Sequence, residues 1–223
     1  MPANYDVITF DCYGTLIDWE RGIAEVFADL ARGAGVALDV AAALADYHAI
    51  EPVVEAETYR PYREVLAETA RRAAARQGWD MDDAVAQAFA ARLPEWPPFA
   101  DTDAALVRMT GASYRLGILS NVDDDLLSAT LRHFSAPIDM IITAQQVGSY
   151  KPAHGHFVRA RERVGQQRWL HAAQSHFHDV VPATALGVPA VWVNRKREAL
   201  PAGGPAPLAE VATLTELADW LGA

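Results

Sequence analysis

The apolar, β-branched run Val7–Phe10 stops at a carboxylate, Asp11, and Cys12, Tyr13, Gly14 and Thr15 follow at once. This pattern predicts a strand that presents Asp11 at its carboxyl end, the edge where open α/β sheets place their ligand crevice. Gly14 lets the backbone turn sharply behind the carboxylate, and the Thr15 hydroxyl can orient a neighbour. A carboxylate so held is a candidate nucleophile. The competing reading is a strand-end Asp that caps a turn. A second hydrophobic run, Leu116–Leu119, ends in Ser120-Asn121 and brings a hydroxyl and an amide to the same edge. Those groups suit a carboxylate or phosphoryl oxygen, though by type alone they serve equally as a helix cap. Asp123, Asp124 and Asp125 read as capping and solvated charge at the positive end of the helix that follows. Lys151 before Pro152, taken alone, is an ordinary surface lysine.

The stretch Asp11-Cys12-Tyr13-Gly14-Thr15-Leu16 resembles the first motif of the haloacid dehalogenase superfamily. Most members of that superfamily are phosphatases with a second Asp two places after the nucleophile, which protonates a leaving alkoxide. Here the position is Tyr13. A halide is a very weak base and departs without a proton. The Asp-x-Tyr-Gly-Thr form resembles the 2-haloacid dehalogenase branch. Ile118–Asn121, Ser149-Tyr150-Lys151-Pro152 and Gln174–Asp179 match the remaining three motifs in order, so the resemblance covers essentially the whole chain.

The resemblance implies a role for each matched residue. Asp11 is the nucleophile; Lys151 neutralises it between turnovers and holds anionic substrate nearby. Asp179 helps position Lys151 and the hydrolytic water. Ser120 and backbone amides near Tyr13 hold the substrate carboxylate, and Asn121 and Arg60 face the halide. Ser175 and His176 complete the substrate-binding set. Phosphatase members hold magnesium with two acidic residues four apart in the last motif. Ser175 stands at the first of these, so a hard cation loses a ligand, and no metal or other cofactor is expected.

The implied activity is hydrolysis of short 2-haloalkanoic acids to 2-hydroxy acids through an aspartyl ester. The alternative is a magnesium-dependent small-metabolite phosphatase that uses Asp11 as phosphoryl acceptor, and a third reading is a cap-bearing binding protein without turnover. The substrate shell departs from the family at three points. The halide-cradling Arg has no counterpart in Asp46–Glu51, the nearest cations being Arg60 and Arg63; Phe157 replaces a Tyr; and His176 replaces an Asn.

These groups need a scaffold that gathers strand ends. Residues 20–92 read as successive helices, with Ile23, Val26, Phe27 and Leu30 at helical spacing, and Pro97-Pro98 breaks the chain. Strands are expected at 115–119, 138–143, 169–173 and 190–193. Helices are expected at 123–134, 154–164, 182–186 and 214–221. One strand, a helical insertion and then β-α units imply an α/β fold with a parallel sheet and a helical lid. The resemblance implies the same: a Rossmann-like core from 1–18 and 97–223, with a helical cap at 19–96.

Composition bounds the partners. The 223 residues are 51% hydrophobic and 22% charged, enough to bury a proper core. A formal charge of −10 with no basic run makes nucleic acid and anionic membranes poor partners. A small anionic substrate is expected, and a homodimer is left open. The single cysteine, Cys12, forms no intrachain disulfide and suits a reducing cytoplasm. It reads as a small buried side chain facing away from the cleft. Met1–Asp6 carries no basic start or long apolar stretch, so neither signal peptide nor membrane span is expected. His154 and His156 lie on opposite sides of a helix and do not form a metal pair.

Overall fold

The computed structural model describes residues 5–223; Met1–Asn4, on which the expected lack of a leader partly rests, lie outside the described residues. The described chain divides into two compact units. One comprises the chain up to Ile17, Pro98–Asn121 and Arg132–Ala223; the other comprises Asp18–Pro97 and Val122–Leu131.

The first unit is built on a six-stranded, wholly parallel sheet. Its strands are β1 (Val7–Phe10), β2 (Arg115–Ser120), β3 (Met140–Thr143), β4 (Trp169–Ala173), β5 (Ala190–Val193) and β6 (Ala209–Val211), in the order β3-β2-β1-β4-β5-β6. Every residue of β1, β4 and β5 is buried, as expected of parallel strands covered on both faces. Phe10 lies opposite Ile118 of β2 and Ala172 of β4, so these three strands end together. The strand order reverses at β1, which makes its carboxyl end the natural crevice.

Ten helices are described: α1 (Trp19–Gly33), α2 (Val40–Glu55), α3 (Tyr62–Arg76), α4 (Asp83–Ala91), α5 (Thr102–Gly111), α6 (Asp124–Thr130), α7 (Ala144–Val147), α8 (Gly155–Val164), α9 (Val181–Ala185) and α10 (Leu214–Leu221). None is long and apolar enough to cross a membrane. In the sheet unit α5 packs on α10, and α8 packs on β2 and β3.

Two elements were not expected from the sequence. Helix α5 follows the Pro97-Pro98 break and depends on distant partners: Thr102 Oγ1 donates to the Leu16 carbonyl at 2.8 Å. Asp101, just before the helix, accepts from Leu214 N at 2.6 Å and pairs with Arg195 at 3.1 Å. Strand β6 has three residues and forms only because β5 offers its edge. The helix expected over 123–134 ends at Thr130 and closes with a 3₁₀ turn, Leu131–His133.

In the second unit Asp18, Asp39 and Asp82 cap α1, α2 and α4 by accepting from Arg21 N, Ala42 N and Val85 N. Their apolar faces meet around Phe27, Tyr47 and Phe89; the Phe27 and Phe89 rings lie 4.8 Å apart. Gly22 lets α1 pass the Trp96 ring, whose Cγ lies 2.2 Å from where a Cβ would sit. Helix α3 starts after Pro61, which supplies no side-chain cap. Asp123 supplies it instead, accepting from the amides of Tyr62 at 2.9 Å and Arg63 at 3.0 Å. Asp123 is therefore buried and structural, which corrects the expectation of solvated charge; Asp125 keeps an exposed pair with Arg63.

Candidate active site

Asp11 sits where β1 ends, with its amide donating to the Ala172 carbonyl at 3.3 Å. Gly14 adopts φ 97°, a conformation L side chains avoid, and its amide closes the turn onto the Ile17 carbonyl at 2.8 Å. That turn swings Thr15 back toward the nucleophile. Thr15 Oγ1 donates to Asp11 Oδ2 at 3.0 Å and accepts from Gln174 N at 2.9 Å. Arg195 steadies the turn from behind, donating to the Thr15 carbonyl from Nε at 3.1 Å and from its terminal nitrogen at 2.9 Å. The guanidinium also lies 3.9 Å over the Phe99 ring.

Lys151 joins the two carboxylates. Its buried Nζ donates to Asp11 Oδ1 at 3.0 Å, Asp179 Oδ1 at 2.6 Å and the Leu119 carbonyl at 2.9 Å. The ordinary-surface reading of this lysine fails: it is 2% exposed. Burial opposes its charge, but the two carboxylates outweigh burial and raise its pKa. Burial pushes the Asp11 carboxyl up, with the Lys151 charge pulling the other way. Asp179 is also penalised by burial, yet Lys151 and a bond from His171 hold it below the usual carboxylate range.

The other expected site residues divide. Ser120 is 1% exposed and its Oγ has no hydrogen-bond partner, an orphaned hydroxyl at the end of β2. An unpaired buried donor of this kind suits a substrate oxygen. Tyr13 lies half-buried beside Asp11, bridged to Ile17. Asn121 Oδ1 accepts from Lys151 N at 2.7 Å and its Nδ2 donates to the Lys151 carbonyl at 3.1 Å, so it clamps the lysine loop. Ser175 also does structural work, its Oγ accepting from His178 N at 3.1 Å and lying 3.0 Å from His178 Nδ1. His176 donates Nε2–H to the Pro205 carbonyl at 2.9 Å and packs edge-on against Trp192. Arg60 belongs to the helical unit and pairs with Glu57.

Cys12 is buried, and burial pushes its thiol well above the ordinary range. His154 is exposed while His156 is buried with Nε2–H donating to the Ser120 carbonyl at 3.0 Å, so the two do face apart. Thr9, Trp169 and His171 were missed. His171 Nε2 lies 3.0 Å from Asp179 Oδ1, and its Nδ1 lies 2.8 Å from Thr9 Oγ1. The available signal was a polar residue inside each of two otherwise apolar strands; only the register makes Thr9 and His171 neighbours.

A magnesium cage fits these residues poorly. Ser175 is neutral and engaged with His178, and the Lys151 ammonium stands between the two carboxylates. Among the described residues no cluster of three or more His, Cys, Asp or Glu is arranged to hold a metal. The arrangement can carry out attack by a desolvated carboxylate, with a fixed ammonium balancing its charge.

Comparison with known proteins agrees with the geometry. The (S)-2-haloacid dehalogenase of Pseudomonas putida is 25% identical over 223 residues, covering 98% of this chain and 97% of that protein. The L-2-haloacid dehalogenase RSc1362 shares the fold with a TM-score of 0.86 at 21% identity, covering 99% of this chain and 100% of its own. The L-2-haloacid dehalogenase of Xanthobacter autotrophicus, solved with chloropropionic acid covalently bound, superposes with a TM-score of 0.83 at 18% identity, covering 98% and 99%. The haloacid dehalogenase-like hydrolase model matches residues 5–202, and the chain belongs to that family.

Proposed function

We propose that this chain hydrolyses short 2-haloalkanoic acids to 2-hydroxy acids through an ester on Asp11. The observation that carries the reading is the buried Lys151 ammonium shared by Asp11 and Asp179, with Tyr13 in place of an acid. An Asp11 oxygen attacks the halogen-bearing carbon, the carbon–halogen bond breaks, and the halide leaves with the bonding pair. The centre inverts. Water then attacks the Asp11 carboxyl carbon, the bond to the alkyl oxygen breaks, and the 2-hydroxy acid departs as one proton goes to solvent.

The Lys151 charge and the unpaired Ser120 hydroxyl suit the single negative charge of a haloacid. The similar (S)-2-haloacid dehalogenase supports the substrate class. We also propose a reducing cytoplasm as the compartment, from the lone buried thiol, with a small anionic acid as the partner molecule.

The test is halide release from 2-chloropropionate in excess EDTA, beside p-nitrophenyl phosphate hydrolysis in millimolar magnesium. Halide release should survive chelation, because the leaving group needs no cation. Phosphate release restored by magnesium, with no halide release, would establish the phosphatase alternative.

A further inference from the structure

A chain of buried polar groups runs back from Asp179 into the sheet and takes no part in the reaction as described so far. His171, in the middle of β4, is fully buried. Its Nε2 lies 3.0 Å from Asp179 Oδ1 and its Nδ1 2.8 Å from Thr9 Oγ1, and Trp169 Nε1–H donates to the same Thr9 oxygen at 2.8 Å. An indole nitrogen can only donate, so Thr9 Oγ1 accepts from Trp169. The Thr9 hydroxyl hydrogen then has two acceptors: His171 Nδ1 at 2.8 Å, or the Leu170 carbonyl at 3.5 Å, the limit of a hydrogen bond. Whichever of these it takes, Asp179 Oδ1 can only accept, so the hydrogen on His171 Nε2 is donated to it. Phe157 packs edge-on against the His171 ring, with centroids 5.0 Å apart and planes at 80°, which fixes the ring's plane.

The effect falls on one oxygen of Asp179. Oδ1 receives both Lys151 Nζ and His171 Nε2–H, whereas Oδ2 is buried without a partner. A carboxylate held through one oxygen by two donors cannot rotate freely, and the other oxygen is left aimed and unsatisfied.

We propose that His171 is a positioning residue that, backed by Thr9 and Trp169, orients Asp179 so that Oδ2 holds the water that hydrolyses the aspartyl ester. This rests on the functional reading above. The water gives one proton to Oδ2 as its oxygen bonds to the Asp11 carboxyl carbon; the carbon–alkyl oxygen bond breaks, Oδ2 passes that proton to the departing alkoxide, which leaves as the 2-hydroxy acid, and the second water proton goes to solvent as the Asp11 carboxylate is regenerated. The first half-reaction uses Asp11 oxygens held by Lys151 and Thr15, so it does not draw on Asp179 Oδ2. His171 therefore bears directly on the second half-reaction and touches the first only through the Lys151 ammonium that Asp179 and Asp11 share.

The experiment follows both half-reactions with 2-chloropropionate in wild type, His171→Leu, His171→Gln and Thr9→Val. Rapid quench measures the first equivalent of halide per site, steady-state assay measures turnover, and intact mass of the quenched protein detects the ester. In His171→Leu the first equivalent should appear no more slowly than wild-type turnover. Turnover should then fall about 10²-fold, at the lower end of what a positioned proton acceptor contributes, and the ester should accumulate. His171→Gln, whose amide can reach Asp179, should restore most turnover. Thr9→Val keeps the side-chain shape and should show the same split in weaker form, which serves if His171→Leu does not fold. Equal slowing of both half-reactions, or no change in either, in the variants of an active wild type would overturn this inference alone. A wild type that releases no halide would overturn the functional reading and this inference with it.

Discussion

Replacing Lys151 by Met removes the ammonium while keeping the length of the side chain. The Nζ contacts at 3.0 Å to Asp11 and 2.6 Å to Asp179 vanish, leaving two buried carboxylates, 8% and 0% exposed, with no cation between them. Breaking a buried ion pair by removing one partner costs about 3–5 kcal/mol. The site can relieve this by taking up a proton, and burial already pushes Asp11 in that direction. A carboxyl with a folded pKa above its unfolded value binds more protons when folded. Stability therefore falls as pH rises between those two values and flattens above the folded one. Lys151→Met should therefore lose stability relative to wild type as pH rises above the ordinary carboxyl range. Urea unfolding of wild type and variant at several pH values measures this, and halide assays should show a loss beyond about 10³-fold. A destabilisation below about 1 kcal/mol with no dependence on pH would refute the bridging role of the ammonium.

Asp11→Asn should lower turnover by more than about 10³-fold with the fold retained by circular dichroism, since an amide is a far weaker nucleophile; mass spectrometry must exclude deamidation in the assayed sample. Ser120→Ala removes an unpaired buried hydroxyl, so unfolding should show no loss of stability while KM rises about tenfold, the worth of one hydrogen bond to a charged substrate. A destabilised variant with unchanged KM would show that the hydroxyl serves the fold. Burial, aided by the Lys151 charge, pushes His156 down to about 4. The folded state then binds fewer protons than the unfolded state between about pH 4 and 6.5. The His156 contribution to stability is present above 6.5 and lost as pH falls to 4, about 3 kcal/mol in all. Unfolding curves of wild type and His156→Gln that run parallel through that range would contradict it.

The sequence by itself determined where the chemistry sits along the chain. The Val7–Phe10 run ends at Asp11, and Gly14 takes the left-handed turn that its position demanded, because apolar periodicity and glycine's freedom are local properties. The parallel sheet followed from one strand, an insertion and repeated β-α units. Lys151 was legible only through its motif, since a lysine before a proline says nothing about what surrounds it. Tertiary structure decided the rest. That Asn121 clamps Lys151, and that Asp123 caps α3 sixty residues away, depends on what lies opposite in space. Helix α5 and strand β6 exist because Leu16, Arg195 and β5 supply partners that their short sequences cannot. Thr9 and His171 stand 162 positions apart in the chain and become neighbours only because β1 and β4 pair in one register. Local sequence carries backbone preference and residue chemistry, whereas hydrogen-bond partners are assigned by the packing that brings distant segments together.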